Sequence, residues 1–264
     1  MRLRELKGIL TIRHAQSELN AAHKTQREEL DYKNFEGLYK LDPTHPMALS
    51  KARLLKDKHR PEVSDPGADI TEQGIRQSFD TGIAMQTEAR QGILAVPDII
   101  YTSPYKRAIS TLKHIQNAWP DIREAKVIKD ERLREQEVGL VQNYGDYFTF
   151  WALNPEQQEL FTSHGLYWYR FPNGESVPDV RLRVSSWLHD MRHSHGKKNI
   201  LVISHFNTLL SLRAEVENWQ AEDWLRAERK TKKINCAVSE YKCSKQSIIS
   251  QSRLEIIRYN KQLW

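Results

Sequence analysis

The sequence predicts an α/β fold, a three-layer α/β/α sandwich with a mostly parallel central sheet and a helical and irregular cap. Short runs rich in β-branched residues alternate with amphipathic segments of helical length along the chain. This alternation is typical of strands joined by crossover helices. At 264 residues and 39% hydrophobic content, the chain can bury a large core. We therefore expect a single domain over residues 1–264, with cap insertions at about 23–68 and 144–170.

Six segments are predicted as strands because they are short, apolar and rich in β-branched or aromatic residues. In chain order they are 8–12, 98–101, 126–128, 199–203, 236–241 and 254–259. The third of them is short and is read as an edge strand. The sheet is expected to be covered by helices on both faces.

Helices are predicted between these strands from N-cap residues and from apolar positions three or four residues apart. In chain order they are 16–22, a long helix after Thr71, 104–118, a helix from about 175, 208–216 and 221–226. Thr71 is a suitable N-cap, and acidic Glu72 follows it in the first turn. In the helix from about 175, one apolar face consists of Val180, Val184, Trp187, Leu188 and Met191.

The two predicted insertions have a different composition. Residues 23–68 are polar, charged and irregular, apart from a helix at 47–58 with a turn on either side of it, at 41–46 and 64–67. Residues 144–170 are aromatic and partly helical. Neither segment has the alternation of a sheet strand, so both are expected to form a cap over one edge of the sheet.

A histidine stands at the end of two predicted strands that lie almost two hundred residues apart. Arg13 and His14 follow the strand 8–12, and Ser204 and His205 follow the strand 199–203. Ligands of open α/β sheets collect at the carboxyl ends of the strands. Two imidazoles with Arg13 beside them would surround one tetrahedral anion, so the pairing predicts phosphate chemistry.

Attack on a phosphate ester requires a nucleophile, cations for the transferring oxygens and a proton donor for the leaving alcohol. A neutral imidazole is nucleophilic when a hydrogen bond fixes its other nitrogen, and His14 is expected to take this role. Arg13 and Arg107 would bind phosphate oxygens, and His205, once protonated by the bound anion, would add a donor. A single histidine at a strand end is usually structural; the pair with Arg13 favours catalysis.

The composition narrows the range of partners. The net charge is +6, with basic runs at 51–60 and 226–233, and a basic surface favours anionic small molecules or nucleic acid. Because the chain has no zinc-finger spacing, helix-turn-helix signal or stacking sheet motif, a nucleic-acid partner is not expected, and both runs are read as solvated helix faces.

No apolar stretch is long enough for a membrane span, and residues 1–7 lack a signal-peptide core. We expect a cytoplasmic protein without a membrane partner, and the oligomeric state stays open.

Three further histidines have the spacing of a metal site. His189 and His193 are four residues apart and His195 follows them, as in a helical metal pair. No acidic or thiol side chain is expected to complete the ligand set, and the segment ends at Gly196. We therefore expect neither a metal nor another cofactor.

These motifs resemble the histidine phosphatase superfamily, in its phosphoglycerate-mutase-like branch. In that family an Arg-His-Gly motif opens the chain and a His-Gly motif follows a later strand. The resemblance runs nearly end to end. The sequences of segments 134–139 and 169–176 are most similar to those of phosphoglycerate-mutase-like proteins of plants and fungi. Its landmarks here are 13–20, 70–74, 102–104 with Arg107, 133–135, 172–176 and 203–205.

The resemblance implies a role for each site residue. His14 becomes a phosphohistidine, and Arg13, Arg107 and His205 form the phosphate pocket. Glu135 matches the acid that protonates the leaving oxygen and then activates water. Glu18 or Glu137 could take this role instead, but only Glu135 matches by position. The resemblance implies contacts with the transferred phosphate at Asn20 and at the backbone near Asn207, and Ser17 and Phe206 are further candidate substrate-binding residues.

Two residues depart from the family pattern, Ala15 and Phe206, each of which stands where the family has glycine after its histidine. The methyl group of Ala15 fits if its backbone φ is negative. The ring of Phe206 would narrow the pocket or turn outward. It would then select a small substrate, stack against a ring, or leave a pocket that binds phosphate without turnover.

The predicted function is a metal-independent phosphatase that hydrolyses a small phosphomonoester through phosphohistidine. The alternative is a phosphoglycerate mutase-type phosphoryl transfer, which requires that water be excluded from the phosphoenzyme. A third reading is a phosphate-binding pseudoenzyme, which Ala15 and Phe206 motivate. The insertion 23–68 bears little resemblance to the mutases, and this favours hydrolysis.

Overall fold

A computed structural model of the protein describes residues 6–244 and 253–264. Residues 1–5, part of the segment without a signal-peptide core, lie outside the described range. The chain divides into two compact units. The first unit is drawn from Met1–Ser17, Asp69–Glu135 and Asp179–Trp264, and the second from Glu18–Ala68 and Gln136–Pro178. The predicted insertions 23–68 and 144–170 both fall within the second unit.

A six-stranded sheet organises the first unit. Its strands are β1 (Gly8–Arg13), β2 (Ile99–Thr102), β3 (Lys126–Lys129), β4 (Asn199–Ser204), β5 (Val238–Ser244) and β6 (Arg253–Lys261). Their order is β3-β2-β4-β1-β5-β6. The first four run parallel, whereas β5 and β6 are antiparallel to their neighbours. The predicted α/β fold with a mostly parallel sheet is confirmed.

The helices alternate with these strands. In chain order they are α1 (Glu18–Glu28), α2 (Leu30–Leu41), α3 (Pro46–Lys58), α4 (Glu72–Arg90), α5 (Lys106–Ala118), α6 (Tyr147–Leu153), α7 (Pro155–Trp168), α8 (Val177–Ser194), α9 (Phe206–Glu217) and α10 (Ala221–Lys230). Thr71 is the N-cap of α4, as predicted, and its hydroxyl accepts a hydrogen bond from the Gly74 N–H. Among the residues that the structure describes, no helix combines the length and the apolar composition that a membrane crossing requires.

Alternating strand residues pack against helices on both faces of the sheet. Leu10, Ile12 and Leu201 lie in one core with Met85 of α4 and Ile115 of α5. Their strand neighbours point to the other face, where a second core packs against α8 and α9. That core includes Ile9, Ile200, Val202, Val180, Val184, Trp187, Leu188, Met191 and Leu212. The predicted apolar face of α8 is therefore buried in full, and the sheet has a helical layer on each side.

The second unit corrects one expectation. Residues 23–41, which the sequence analysis describes as irregular, are mostly helical in α1 and α2. Tyr32, Phe35 and Tyr39 are spaced as one face of a helix and pack in a core with residues of α3 and α6. The many charges of this segment lie on the other faces of its helices and hide that spacing. Residues 144–170 are partly helical, in α6 and α7.

Gly74 holds the start of α4 against the segment that follows β1. A Cβ atom at this position would lie 2.3 Å from the Gln16 carbonyl oxygen, which already accepts a hydrogen bond from the Thr71 N–H at 3.0 Å. We expect Gly74→Ala to lower the free energy of unfolding by about 2 kcal/mol, because backbone must shift to admit the methyl group.

Gly37→Ala provides the matched control for this prediction. Gly37 lies within α2, and a Cβ atom there would meet nothing within 4 Å. Alanine should raise the free energy of unfolding by about 0.5–1 kcal/mol at this helical site. Denaturant unfolding of both variants measures the difference. Equal midpoints for the two variants would show that the contact at Gly74 does not constrain the fold.

Candidate active site

The carboxyl ends of three adjacent strands bring the site together. Arg13 of β1 pairs in register with Ser204 of β4, so His14 and His205 leave the sheet side by side. The His14 N–H continues the ladder to the Ser204 carbonyl at 2.8 Å. On the other side of β4, the Ser103 N–H donates to the Ile203 carbonyl at 2.9 Å. The two imidazole ring centres lie 5.0 Å apart.

His14 is buried and held in one tautomer. Its Nδ1 lies 2.7 Å from the Ala15 carbonyl oxygen, and because a carbonyl can only accept, Nδ1 carries the proton. Burial, followed by the charges of Arg107 and Arg13, holds the pKa of His14 well below its usual value. The imidazole is therefore neutral at pH 7, and the lone pair stands on Nε2.

His205 is fully buried beside Ser103. Its Nε2 lies 2.8 Å from the Ser103 Oγ, which also accepts a hydrogen bond from the Tyr105 N–H at 3.2 Å. Burial, then Arg107, then His14, keep the pKa of His205 well below the usual value. Within the described parts of the chain, the buried Nδ1 of His205 has no hydrogen-bond partner.

Ser103 lies in the 102–104 landmark, but no role in the site was predicted for it. The signal for it was present, since Ser103 follows the carboxyl end of β2 just as His14 and His205 follow β1 and β4. A serine in that position is common enough for the signal to carry little weight alone. Its contact with His205 becomes visible only once β2 and β4 are paired.

Two arginines flank the histidines. Arg107 lies in the first turn of α5, is buried, and stacks its guanidinium over the Tyr105 ring at 4.9 Å. Arg13 donates from Nη1 to the Lys233 carbonyl. Burial lowers the pKa of Arg13 to about 10, against an opposing effect of the Glu135 carboxylate. Arg13 is therefore a cation at neutral pH, and Glu135 lies near enough to interact with it.

Ala15 fits its position without strain. Its φ is outside the left-handed region, its N–H donates to the Thr111 Oγ1 at 2.9 Å, and its methyl group packs in a small core with Ile70 and Cys236. The methyl group of Ala15 therefore contributes to the packing of this small core.

Phe206 is the first residue of α9 and is 8% exposed. The ring does not turn outward to solvent. The Lys233 ammonium lies 4.9 Å from the ring centre, and the Arg13 guanidinium lies 6.0 Å from it. The ring therefore lies between two basic side chains, one of which is the candidate site residue Arg13.

The predicted residues separate between the two units. The first unit brings together Arg13, His14, Arg107, Glu135 and His205, with Ser17, Phe206 and Asn207 nearby in sequence. Ser17 is buried and forms an isolated bridge with Ile70. Asn20, Glu18 and Glu137 belong to the second unit.

The histidines considered for a metal have other contacts. The rings of His189 and His193 lie with their centres 4.0 Å apart and their planes tilted by 41°. His195 Nε2 instead lies 2.8 Å from the Tyr101 hydroxyl. Over residues 6–244 and 253–264, no group of three or more His, Cys, Asp or Glu side chains is arranged to hold a metal ion.

The lowered pKa values of His14 and His205 predict how stability depends on pH. The unfolded chain binds protons at about pH 6.5 and the folded chain resists them, so stability is lost as the pH falls below that value. Each histidine contributes at most about 1.4 kcal/mol per pH unit in that range. We expect the double variant His14→Asn/His205→Gln to unfold with a weaker pH dependence than the unaltered protein.

Chemical denaturation at pH values from about 7 to about 5 measures this dependence. The control is His164→Asn, at an exposed position of α7, which should keep the slope of the unaltered protein. An unchanged slope in the double variant would mean that the two buried histidines take up protons as readily as they do in the unfolded chain.

Comparison with known proteins gives the context for this geometry. The family described as the histidine phosphatase superfamily (branch 1) matches residues 56–252. The matched range contains Arg107, Glu135 and His205 and begins after His14. The assignment of His14 to the site therefore rests on the fold and on the contacts of its ring, because the family match does not include this residue.

Curated relatives match parts of the chain. A putative phosphoserine phosphatase 2 of Hydrogenobacter thermophilus is 32% identical over 130 residues, which is 46% of this chain and 56% of the relative. The phosphoglycerate mutase-like protein AT74 of Arabidopsis thaliana is 32% identical over 173 residues, 61% of this chain and 52% of the relative. The chain spans little more than half the length of these relatives.

Solved structures match the chain over most of its length. A mycobacterial glucosyl-3-phosphoglycerate phosphatase in complex with VO3 superimposes with a TM-score of 0.63 over 96% of this chain and 98% of its own. The sequence identity is 15%. At this identity the likeness shows a shared fold.

Proposed function

This chain belongs to the histidine phosphatase superfamily, branch 1, and from that premise we propose that it hydrolyses small phosphomonoesters through a phosphohistidine formed at His14, without a metal ion. The observation that carries the proposal is the state of His14. It is neutral, its Nδ1 proton is bound to the Ala15 carbonyl, the charges of Arg107 and Arg13 act on the ring, and the His205 ring centre lies 5.0 Å away. A nucleophile, a proton donor and cations for the phosphoryl oxygens are the groups that this chemistry needs.

In the first step, the Nε2 of His14 attacks the phosphorus atom of the ester. The Nε2–P bond forms as the bond from phosphorus to the leaving oxygen breaks. Glu135, in its protonated form, gives its proton to that oxygen, so that an alcohol leaves and not an alkoxide. His14 is then a phosphohistidine, and Glu135 is a carboxylate.

In the second step, a water molecule attacks the same phosphorus atom. Glu135 takes a proton from this water, and the new P–O bond forms while the Nε2–P bond breaks. Inorganic phosphate leaves, His14 regains its lone pair, and Glu135 is protonated again. Glu135 is therefore the acid of one step and the base of the other.

The two arginines and His205 stabilise the phosphoryl oxygens in both steps. The forks of Arg13 and Arg107 carry positive charge and several N–H donors. If the Ser103 hydroxyl donates to His205 Nε2, the proton of the neutral ring stands on Nδ1 and provides a further donor. A bound dianion favours protonation of His205, which adds charge to the same donor.

The names of similar proteins suggest which phosphomonoesters to test as substrates. One relative carries the name of a phosphoserine phosphatase, and a structural neighbour of that name is a complex with 3-phosphoglyceric acid. We therefore expect O-phosphoserine and 3-phosphoglycerate to be the first compounds to test, next to p-nitrophenyl phosphate.

The test is release of inorganic phosphate from these three compounds in the presence of a chelator. The unaltered protein should release phosphate, and His14→Ala should not. Conversion of 3-phosphoglycerate into an isomer without release of phosphate would replace hydrolysis by mutase chemistry. Tight binding of phosphate without turnover of any compound would identify a pseudoenzyme, and Phe206→Gly would then be the variant for restoring activity.

A further inference from the structure

Four consecutive backbone carbonyls lead up to the candidate acid Glu135, and side chains bind all of them. The carbonyls are those of Arg132, Leu133, Arg134 and Glu135. This segment leaves a short 3-10 helix that ends at Leu133 and is not part of the sheet. Its carbonyls therefore depend on partners from other elements.

Arg183 of α8 binds both ends of the segment. Its Nη1 donates to the Arg132 carbonyl at 2.6 Å, and its Nη2 donates to the Glu135 carbonyl at 3.0 Å. One planar guanidinium thus closes the turn from residue 132 to residue 135. A fork with two parallel donors fixes orientation as well as distance.

The two inner carbonyls are bound from the element that carries the second histidine. The Ser204 hydroxyl donates to the Leu133 carbonyl at 2.7 Å, and the Thr208 hydroxyl donates to the Arg134 carbonyl at 2.6 Å. Ser204 and Thr208 stand on either side of His205 in sequence. The backbone next to Glu135 is therefore tied to the end of β4 and the start of α9.

We propose that Arg183 is a positioning residue that holds the Glu135 carboxyl group in line for proton transfer. This inference rests on the proposed function, since it takes Glu135 as the acid. Proton transfer needs the carboxyl group within hydrogen-bond reach of the leaving oxygen. A displacement of about 1 Å is enough to cost a reaction about 10²-fold. The fork of Arg183 limits such displacement at the backbone of Glu135 itself.

Arg183→Lys is the variant that isolates this role. Lysine keeps the positive charge, and with it the electrostatic effect on His205, but a single ammonium cannot reproduce the fork across two carbonyls. We expect kcat/KM for O-phosphoserine, whose alkoxide leaves poorly, to fall by about 10²-fold. For p-nitrophenyl phosphate, whose phenolate leaves without a proton, kcat/KM should change by a few-fold at most.

Arg181→Lys is the matched control on the same helix. Arg181 Nε lies 2.8 Å from the Glu215 carboxylate, and its Nη2 donates to the Trp219 carbonyl at 3.0 Å. Arg181 therefore also binds a backbone carbonyl, but that carbonyl belongs to Trp219, which lies far from Glu135 in the chain. Its replacement should lower thermal stability about as much as Arg183→Lys does, with the same small change in kcat/KM for both substrates.

A second experiment introduces Arg183→Lys into the Glu135→Gln variant. If Arg183 acts through the carboxyl group of Glu135, then Arg183→Lys adds no further loss for O-phosphoserine once Glu135 is replaced. Additive losses, or equal losses for both substrates, would overturn the positioning role and leave the proposed function standing. If the unaltered protein turns over neither compound, the proposed function fails and this inference fails with it.

Discussion

Replacing His14 by asparagine is expected to lower kcat for phosphomonoester hydrolysis by about 10⁴-fold or more, as loss of a catalytic nucleophile does. Asparagine removes the Nε2 lone pair and offers only a weakly nucleophilic amide. It is smaller than histidine and retains an N–H group that can bind the Ala15 carbonyl, now bound by Nδ1 at 2.7 Å. The loss should therefore appear in kcat, while inorganic phosphate still binds as a competitive ligand. Initial rates and phosphate binding measure the two effects.

Two further variants test whether the loss of activity is specific to the imidazole of His14. His164→Asn changes an exposed histidine of α7 and should keep the activity of the unaltered protein. His14→Ala leaves space that admits free imidazole, and added imidazole should restore part of the phosphate release. If His14→Asn retains more than about a tenth of kcat, another group is the nucleophile.

Glu135→Gln is expected to lower kcat for O-phosphoserine by about 10²- to 10⁴-fold. Glutamine has nearly the shape of glutamate but can neither give a carboxylic proton to the leaving oxygen nor take one from water. With p-nitrophenyl phosphate the first step needs no proton, whereas the second step still does. This substrate should therefore give one rapid burst of p-nitrophenol per enzyme, followed by slow turnover. Rapid-mixing absorbance measurements resolve the burst.

The competing carboxylates provide the controls for Glu135. Glu137→Gln and Glu18→Gln change the two alternatives for the acid, neither of which matches the family's acid by position, and both residues lie in the second unit. Each variant should retain a kcat close to that of the unaltered protein. A larger loss with Glu137→Gln than with Glu135→Gln would move the acid role to Glu137.

Local patterns in the sequence were enough to predict the elements that position the histidines. The runs before His14 and His205 are short and β-branched, and the structure forms β1 and β4 from them. That the two strands are neighbours, with Arg13 and Ser204 in register, is a matter of sheet order. Sheet order depends on how all the helices and strands pack, and no local pattern encodes it.

The missing parts of the prediction are those that depend on contacts between distant residues. Arg183 reads in sequence as a polar residue of an amphipathic helix, and only the packing of α8 brings it to the carbonyls of 132–135. Ser103 likewise gains its contact with His205 from strand pairing. The Phe206 ring is likewise approached by Lys233, which lies beyond α10 in the chain.

Trapping the phosphoenzyme shows whether His14 carries the phosphoryl group. The protein is mixed with excess p-nitrophenyl phosphate and quenched in alkaline denaturant, where phosphohistidine survives, and the phosphorylated peptide is then located by mass spectrometry. The expected result is one phosphoryl group on His14, in larger amount with Glu135→Gln and absent with His14→Asn. Steady hydrolysis without a phosphoenzyme in either the unaltered protein or Glu135→Gln, or a phosphoryl group on a residue other than His14, would contradict it.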